Sequence, residues 1–366
     1  APLFQKSPVM HKPLKTGDVI GILGGGQLGR MLSIAAAKLG LRTHIYEPSA
    51  DPPAADVAHR VITAPYEDGS ALIAFAKSVD VVTYEFENIP TTALDILEQH
   101  TAIHPAREAL RVSQDRLIEK TYLNDLGLKT APFAAVNSFE TLTSAISEIG
   151  TAAILKTRRL GYDGKGQVRL TDASDPFEIW QRFEGLDMIL EGYVAFSHEI
   201  SVIGARSTCG DIACFDPGEN FHRNGILHTT TIPARLSASQ RTDAILLTAK
   251  IMNALDYVGV MGVELFVTPQ GLIVNEIAPR VHNSGHWTQN GCAVDQFEQH
   301  IRAVAQWPLG DGSRHSNVVM ENLIGTDIYR AEDLAKDNNV ALHLYGKSDV
   351  KPGRKMGHFN RISAKD

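Results

Sequence analysis

The first hundred residues alternate between short apolar runs and segments with helical periodicity. Strands are predicted at Asp18–Leu23, Arg42–Tyr46 and Val79–Tyr84, with helices at Gln27–Leu39 and Ser70–Ser78 between them. Strands that alternate with helices form parallel sheets, because each helix carries the chain back to the edge from which the next strand starts. The pattern therefore predicts a βαβαβ unit.

The pattern changes after residue 112. A helix is predicted from Ser113 to Leu126, with Ser113 as its N-cap and Gly127 ending it. A strand near Phe133, a helix at Ser138–Ile149 and strands at Ala153–Lys156 and Gln167–Leu170 follow, which indicates a small α+β lobe. Further strands are predicted at Met188–Glu191 and Glu199–Ala205. The expected units are an extension (1–17), a βαβ domain (18–112), a central lobe (113–190), a C-terminal lobe (191–310) and a closing segment (311–366).

A β-hairpin with unusual carboxylates is predicted in the C-terminal lobe. The apolar runs Gly259–Val267 and Leu272–Ala278 flank the turn signal T-P-Q-G, and the runs contain Glu264 and Glu276. Acidic residues are disfavoured in strands, so these two are candidate Mg²⁺ ligands. Arg280, His282, Asn283, Ser284 and His286 follow as a polar cluster suited to phosphate and carboxylate chemistry. The alternative is a hairpin with solvent-facing acids.

A shared metal requires Glu264 and Glu276 to lie on one face of the hairpin. Side chains alternate faces along a strand, so the loop length decides the outcome. A three-residue loop, with Thr268 opposite Leu272 and Gly271 at positive φ, places the two carboxylates opposite each other. We expect this loop.

The first glycine loop, Gly24 to Gly29, satisfies G-x-G-x-x-G between a strand and a helix, and Glu47 ends the next strand. This fingerprint is typical of NAD enzymes, so a dehydrogenase is one hypothesis. The exposed N–H groups of such a loop bind any phosphate, including that of a sugar phosphate.

A second glycine loop covers Gly161–Gly166 and follows the strand that ends at Lys156. Backbone N–H groups and Lys165 can clamp nucleotide phosphates there, although the loop lacks the Walker A pattern. The alternative is a mobile hairpin tip with solvated lysines. Glu191 to Val194 offers backbone groups for an adenine edge, and Glu199 is a candidate for ribose hydroxyls.

Composition narrows the function classes. The 366 residues are 43% hydrophobic and 21% charged, with a net charge of −7, which disfavours a nucleic-acid binder. No apolar run approaches the length of a membrane span. The three cysteines have neither zinc spacing nor an even number, which indicates a reducing cytoplasm. Residues 1–17 are expected to be an extension rather than a signal peptide.

The order of several motifs resembles a known family. The strings are G-G-G-Q-L-G-R, Y-E-F-E-N-I-P (84–90), S-Q-D-R (113–116), L-K-T-R-R-L-G-Y-D-G-K-G-Q, E-G-Y-V with H-E-I-S, N-E-I-A-P-R-V-H-N-S-G-H-W-T, and Y-G-K with K-P-G-R-K-M-G-H. Together they resemble the N5-carboxyaminoimidazole ribonucleotide synthetases of the ATP-grasp superfamily. The resemblance implies an ATP-grasp fold, an α/β and α+β architecture in which the βαβ domain precedes a lid lobe and a mixed C-terminal domain.

The resemblance also implies the reaction. An ATP- and Mg²⁺-dependent ligase would carboxylate 5-aminoimidazole ribonucleotide with bicarbonate through carboxyphosphate, in purine biosynthesis, and relatives suggest a homodimer. Such an intermediate hydrolyses readily, so a lid over the site is expected, and the Gly161–Gly166 loop is the candidate. Alternatives are another ATP-grasp carboxylate–amine ligase and a non-enzymatic nucleotide sensor.

Site residues follow from the matching positions. ATP is expected at Arg116, Lys156, Gly161, Tyr162, Gly164, Gly166, Gln167, Glu191, Val194, Glu199, His222 and Asn275, and Mg²⁺ at Glu264 and Glu276. Bicarbonate and carboxyphosphate are expected at Arg280, His282 and Asn283, while Tyr162, Asp163 and Lys165 close over the imidazole. The ribonucleotide is expected at Gly26, Gln27, Leu28 and Glu85, and its phosphate at Lys347 and Arg354. No third ligand stands at zinc spacing from His282 and His286.

Overall fold

A computed structural model describes residues 9–161, 163 and 165–366. The predictions made for Tyr162 and Gly164 lie outside the described residues. Within the described part, no helix is long and apolar enough to cross a membrane.

The first domain has the predicted parallel sheet. Its elements are β1 (Val19–Leu23), α1 (Gln27–Lys38), β2 (Arg42–Tyr46), a 3₁₀ turn (Pro53–Asp56), β3 (Arg60–Ile62), α2 (Gly69–Lys77) and β4 (Val81–Tyr84). All strands run parallel in the order β3-β2-β1-β4. β1 is buried along almost its whole length, as expected for a strand covered by helices on both sheet faces. The carboxyl ends of β1 and β4 therefore meet at one edge.

Three helices connect this domain to the central lobe: α3 (Thr91–Leu97), α4 (Arg107–Ser113) and α5 (Arg116–Asp125). The predicted helix from Ser113 to Leu126 was wrong at its start. Ser113 belongs to α4, and Asp115 caps α5 by accepting from the N–H groups of Leu117 and Ile118. An aspartate accepts these orphan N–H groups as well as a serine does.

The central lobe is a small antiparallel sheet with two helices. Its elements are β5 (Phe133–Val136), α6 (Phe139–Ile149), β6 (Ala153–Thr157), β7 (Gln167–Leu170), α7 (Pro176–Gln181) and β8 (Met188–Gly192), with strand order β5-β8-β6-β7. Ser138 caps α6 in a capping box with Thr141. The β6–β7 connection contains the second glycine loop.

The rest of the chain builds one large, mostly antiparallel sheet in the order β14-β13-β9-β11-β12-β15-β17-β16, with β10 paired to β9. Its strands are β9 (His198–Arg206), β10 (Ile212–Cys214), β11 (Gly218–Arg223), β12 (Ile226–Ile232), β13 (Gly259–Thr268), β14 (Gly271–Ala278), β15 (Ser316–Ile324), β16 (Val340–Leu344) and β17 (Lys355–Ala364). The accompanying helices are α8 (Ala238–Ala254), α9 (Thr288–Gly291), α10 (Gln296–Val304), α11 (Ala331–Leu334) and 3₁₀ turns at Asn283–Gly285 and Gly325–Arg330. The segment 311–366 thus adds strands to the same sheet as 191–310.

The β13–β14 hairpin confirms one part of the register prediction and corrects another. Thr268 pairs with Gly271, so the connection is a two-residue loop and the predicted three-residue loop was wrong. Gly271 has φ of 115°, as predicted. Moving away from the turn, the regular pairing ends at Leu265 and Val274, where a β-bulge shifts the register. Beyond this bulge Glu264 pairs with Glu276, so their side chains lie on one face. The bulge supplies the odd residue that we had assigned to the loop.

Candidate active site

A cavity of about 700 Å³ lies where the three sheets meet. Most of the predicted site residues line it: Gly26, Gln27, Leu28, Glu85, Arg116, Lys156, Gly161, Asp163, Lys165, Gln167, Glu199, His222, Glu264, Asn275, Glu276, Arg280, His282 and Asn283. Gly166, Glu191, Val194, Lys347 and Arg354 do not line this cavity. The fold therefore gathers residues from six of the separate motifs into one space.

Glu264 and Glu276 form the acidic pair at the floor of the cavity. Burial raises the pKa of Glu264 well above its usual value, and the neighbouring Glu276 charge raises it further. His282 Nε2 lies 3.3 Å from Glu264 Oε1, and Arg116 Nη1 lies 3.3 Å from Glu276 Oε2. Repulsion between two partly buried carboxylates is relieved by a divalent cation, and Mg²⁺ prefers carboxylate oxygens. The pair therefore fits a Mg²⁺ ion.

Arg280 is held at the cavity by an acid that we did not predict. Its Nε donates to Glu87 Oε2 at 2.6 Å, and its Nη1 donates to the carbonyl oxygen of Val281 at 3.0 Å. Burial opposes ionisation of Glu87, but the Arg280 charge outweighs this and keeps the Glu87 pKa below its ordinary value. Its Nη2 also donates to Glu87 Oε1, at 3.4 Å. Arg280 lines the cavity, where its remaining N–H groups can bind a carboxylate or phosphate anion.

His282 and Asn283 stand beside the acidic pair. Burial lowers the pKa of His282 well below its ordinary value, so the imidazole is neutral. Asn283 is fixed by a reciprocal amide pair with Asn322, with bonds of 3.0 and 2.7 Å. Both residues lie at the short 3₁₀ turn Asn283–Gly285, which presents them to the cavity. They provide neutral hydrogen-bonding groups next to the Arg280 cation.

The Glu191 side chain is buried between two lysines and is not open to the cavity. Its carboxylate accepts from Lys156 Nζ at 2.6 Å and lies 3.4 Å from Lys120 Nζ, and it is 4% exposed. Lys120 also donates to the backbone oxygen of Asn275 at 3.0 Å. Glu191 thus orients two lysines, while Lys156 reaches the cavity. The carboxylate itself does not face the cavity, although its role in ATP binding stays a prediction.

The second glycine loop reaches across the cavity to the large sheet. Asp163 Oδ1 lies 3.6 Å from Lys355 Nζ on β17, and Arg116 Nη2 donates to the Gly161 carbonyl oxygen at 2.9 Å. The Gly166 carbonyl accepts from Thr157 N and closes the β6–β7 connection. Lys165 lines the cavity. Gly161, Asp163 and Lys165 therefore lie at the same cavity as the acidic pair and Arg280, and the expected role of this loop as a lid stays a prediction.

Glu199 and His222 form a polar pair at another wall. His222 Nδ1 lies 3.0 Å from Glu199 Oε2, on neighbouring strands of the large sheet. Phe196 and Phe266 stack with ring centroids 4.6 Å apart and line the same part of the cavity. A flat apolar surface beside a carboxylate suits a nucleoside, whose base stacks while its hydroxyls bind the acid.

The backbone N–H groups of the first glycine loop donate to carboxylates of the protein itself. Gly25 N donates to Glu47 Oε2 at 2.8 Å, and the N–H groups of Gly26 and Gly29 donate to the two Glu85 oxygens at 2.9 and 3.0 Å. These donors would hold the pyrophosphate in a dinucleotide site. With acids in their place, a pyrophosphate would meet negative charge, which argues against the dehydrogenase hypothesis. Gly26 N donates to Glu85 in this conformation, and the expected contact of Gly26 with the ribonucleotide stays a prediction.

Lys347 and Arg354 line a neighbouring cleft of about 540 Å³, together with Lys351 and the turn around Pro52 and Pro53. Burial is the main cause that lowers the pKa of Lys347 to about 8, and the nearby Arg354 and Lys355 charges contribute to the same shift. Lys347 Nζ donates to the Lys355 carbonyl oxygen at 2.7 Å. The cleft is thus a cationic site beside the main cavity, where a phosphate of a ligand in the main cavity could bind.

Several residues that line or support the cavity were missed by the sequence analysis: Glu87, Glu119, Lys120, Arg158, Tyr345 and Lys355. Burial raises the pKa of Glu119 to about 8. A signal existed for Glu87, because Y-E-F-E-N places two acids directly after a buried strand. No comparable signal marks Lys120, which lies inside an ordinary amphipathic helix.

Sequence profiles match three parts of the chain. Residues 18–114 match the ribonucleotide synthetase preATP-grasp domain, residues 121–297 the ATP-grasp domain, and residues 318–366 the phosphoribosylaminoimidazole carboxylase C-terminal domain. The matched regions include the parallel sheet, the central lobe with the β13–β14 hairpin, and the last strands of the large sheet.

Whole-chain relatives agree with these matches. The N5-carboxyaminoimidazole ribonucleotide synthase of Brucella melitensis is 52% identical over 95% of this chain and 97% of its own. The Staphylococcus aureus N5-carboxyaminoimidazole synthetase, solved with ADP, has a TM-score of 0.91 at 38% identity, covering 96% of this chain and 94% of its own. The Aspergillus clavatus enzyme, solved with ADP and 5-aminoimidazole ribonucleotide, has a TM-score of 0.89 at 30% identity, covering 95% and 94%. This chain belongs to the N5-carboxyaminoimidazole ribonucleotide synthetase family of ATP-grasp ligases.

Proposed function

We propose that this protein uses ATP to carboxylate 5-aminoimidazole ribonucleotide with bicarbonate, yielding N5-carboxyaminoimidazole ribonucleotide, ADP and phosphate in purine biosynthesis. The single observation that carries the proposal is the cavity that combines the acidic pair Glu264–Glu276 with the anion-binding Arg280. An ATP-driven attack on bicarbonate needs both, because the phosphoryl oxygens require cations while bicarbonate must be held beside them.

The reaction has two bond-forming steps. A bicarbonate oxygen attacks the γ-phosphorus of ATP, and the bond from that phosphorus to the bridging oxygen breaks, leaving carboxyphosphate and ADP. The exocyclic amine of the ribonucleotide then attacks the carboxyl carbon, phosphate leaves, and the amine loses a proton. Mg²⁺ bound by Glu264 and Glu276 would neutralise charge on the phosphoryl oxygens.

The residues of the chain position the reactants. We expect Lys156, Arg116 and the Gly161–Gly166 loop to hold the nucleotide phosphates, and Phe196 with Glu199 to hold the nucleoside. Their common position at the cavity supports this expectation. Arg280, His282 and Asn283 surround the space beside the acidic pair, where bicarbonate would bind. Most of the rate acceleration in such a reaction comes from positioning and charge stabilisation, since the protein forms no covalent bond.

The loop over the cavity has a chemical purpose. Carboxyphosphate is hydrolysed by water, so the site must close before it forms. The contact between Asp163 and Lys355 joins the loop to the strand that follows the Lys347–Arg354 cleft. Phosphate binding in that cleft would therefore favour loop closure, because both involve the segment around residues 347–355.

Phosphate release tests the proposal directly. With MgATP, bicarbonate and the ribonucleotide, we expect steady phosphate release and transfer of ¹³C from labelled bicarbonate to the ribonucleotide, detected by NMR. Omitting either cosubstrate should reduce release strongly. Equal ATP consumption with and without the ribonucleotide at saturating bicarbonate would contradict the coupling, and turnover with formate instead of bicarbonate would indicate a different ATP-grasp ligase.

A cytoplasmic homodimer is part of the same proposal. It is supported by the family resemblance and by the cysteines, which are free among the described residues. Sedimentation at micromolar concentration distinguishes a dimer of twice 39.9 kDa from a monomer.

A further inference from the structure

A chain of buried polar side chains runs behind His282. Thr230 Oγ1 donates to Asn220 Oδ1 at 2.8 Å, and Asn220 Nδ2 donates to Ser201 Oγ at 3.0 Å. Ser201 Oγ donates to Ser284 Oγ at 2.6 Å, and Ser284 Oγ lies 2.7 Å from His282 Nδ1. The chain thus connects β12, β11 and β9 to the 3₁₀ turn that carries His282.

The direction of these hydrogen bonds follows from the Asn220 amide at one end of the chain and from the Ser284 backbone N–H at the other. The Asn220 amide donates only through its nitrogen, which makes Ser201 an acceptor there and directs the Ser201 hydrogen to Ser284. The Ser284 hydrogen is then directed to His282 Nδ1. Independently, the backbone N–H of Ser284 donates to the same Nδ1 at 3.2 Å. A nitrogen that accepts two hydrogen bonds carries no proton.

Because Nδ1 accepts from the Ser284 backbone N–H, the single proton of the His282 imidazole lies on Nε2. This nitrogen is 3.3 Å from Glu264 Oε1. His282 presents a hydrogen-bond donor to the acidic pair, and it has no free acceptor nitrogen on the cavity side. In this arrangement the imidazole cannot take a proton from a substrate through Nε2, since that nitrogen already carries one.

The burial of these four polar side chains supports a specific role in positioning His282. Thr230, Ser201 and Ser284 are at most 1% exposed and Asn220 is 7% exposed. Buried polar groups lower stability unless they are paired, and apolar residues of similar size would fill the same space without that requirement. Ser201 is also the register partner of Glu264 across β9 and β13. At Gly262 an added Cβ would lie 2.9 Å from His282 Cβ, so the strand leaves room for the imidazole.

We propose that Thr230, Asn220, Ser201 and Ser284 are positioning residues that hold His282 as the Nε2–H tautomer, so that His282 acts on the acidic pair and bound bicarbonate as a donor and not as a base. The bicarbonate part rests on the proposed function. The tautomer part concerns the free protein and does not depend on the reaction. Hydrogen bonds to the far side of a histidine determine which nitrogen is protonated.

The tautomer can be measured by ¹⁵N NMR on protein labelled at histidine, without nucleotide or Mg²⁺. The His282 signals are assigned by their absence from His282→Gln. We expect a protonated Nε2 and an unprotonated Nδ1. Asn220→Leu and Ser201→Ala should each increase the Nδ1–H population, changing the tautomer ratio by about fivefold, the effect of one typical buried hydrogen bond.

A double variant separates a relay from a general loss of packing. In a Ser284→Ala background, Asn220→Leu should change the His282 signals no further, because the connection is already interrupted. Thr248→Val is the matched control: it removes an equally buried hydroxyl that donates to the Ala244 carbonyl oxygen outside the chain. It should leave the His282 signals unchanged. If Asn220→Leu does not fold, the smaller Ser201→Ala change provides the same comparison.

Three outcomes would overturn the proposal: a wild-type His282 with its proton on Nδ1, unchanged His282 signals in folded Ser201→Ala and Asn220→Leu proteins, or full additivity in the double variant. Kinetics provides a second readout. Ser201→Ala should lower kcat/KM for bicarbonate by roughly fivefold while the KM for ATP stays the same. A normal tautomer response with no turnover of any variant or the wild type would refute the proposed function alone.

Discussion

Glu264 and Glu276 face each other across the β13–β14 hairpin because Asn275 is an extra residue in β14. From Thr268–Gly271 to Leu265–Val274 the ladder is regular, and continued unchanged it would place Asn275 opposite Glu264. The bulge moves Glu276 into that position and leaves the Asn275 carbonyl oxygen free to accept from Lys120. Bulges of this kind redirect a side chain at functional sites.

We predict that both carboxylates are necessary for Mg²⁺ binding. We expect Glu264→Gln and Glu276→Gln each to weaken Mg²⁺ binding at least about tenfold, because each removes one anionic ligand. The measurement is the MgCl₂ concentration that gives half of the thermal stabilisation by a non-hydrolysable ATP analogue. Glu219→Gln is the control. Glu219 lies on β11, where its carboxylate pairs with Arg235, and it does not line the cavity. Normal Mg²⁺ dependence in either site variant would refute the shared-metal assignment.

The hairpin also illustrates how far sequence reasoning extends. Alternation correctly predicted that two acids in neighbouring strands could share a face, and the turn signal located the loop. The position of the extra residue was assigned to the loop instead of the strand, because a bulge depends on contacts with a distant helix, here the one carrying Lys120. No local pattern contains that information.

The first glycine loop shows a second limit. Its G-x-G-x-x-G spacing correctly predicted a tight strand-to-helix turn with several N–H groups pointing to one side. The groups that accept from them, Glu47 and Glu85, come from two other strands. A fingerprint describes the donors of a site, whereas the acceptor that occupies them is determined by tertiary structure.

Arg354 provides a test of the ribonucleotide phosphate cleft. We expect Arg354→Ala to raise the KM for 5-aminoimidazole ribonucleotide by about tenfold or more, through loss of a charge-assisted contact of about 1.5–3 kcal/mol. The KM for ATP should change little, since the cleft lies beside the nucleotide cavity. Arg361→Ala is the control, because Arg361 is a half-exposed arginine on β17 that pairs with Asp337. An unchanged ribonucleotide KM in Arg354→Ala would remove the assignment.

Lys347 predicts a pH dependence for the same substrate. Its pKa is lowered to about 8, first by burial and then by the Arg354 and Lys355 charges. The protonated amine binds phosphate, so binding is strongest well below pH 8 and is lost as the pH rises through about 8. The protonated fraction falls about tenfold between pH 7 and pH 9, so we expect kcat/KM for the ribonucleotide to fall by up to about tenfold, since this quantity reports pKa values of the free enzyme.

Lys347→Arg separates this effect from other titrations. An arginine stays charged throughout this pH range, so the decline above pH 8 should be much smaller in the variant. The corresponding profile for ATP should be the same in both proteins. A decline of equal size in Lys347→Arg would show that another group is responsible.

Lys120 is expected to contribute to stability as well as to the site. Its side chain is buried, with 2% exposed, and its Nζ lies 3.4 Å from Glu191 and donates to the Asn275 carbonyl oxygen at the bulge. Lys120 therefore joins α5 to both the central lobe and the β13–β14 hairpin. Lys120→Met keeps an unbranched side chain as far as the ε position but removes the ammonium group, and with it the charge and the donor. Glu191 retains Lys156 at 2.6 Å, so it does not become an unpaired buried charge.

We therefore expect Lys120→Met to lower the free energy of unfolding by about 2 kcal/mol, the value of a hydrogen bond made by a charged group, measured by urea denaturation. The control is Lys336→Met, whose partner Asp333 is exposed; it should change stability by less than about 0.5 kcal/mol. Because the bulge loses a support, Lys120→Met should also weaken Mg²⁺ binding in the thermal assay, whereas Lys336→Met should not. A Lys120→Met protein with unchanged stability and unchanged Mg²⁺ dependence would show that the bulge holds Glu276 in place without Lys120.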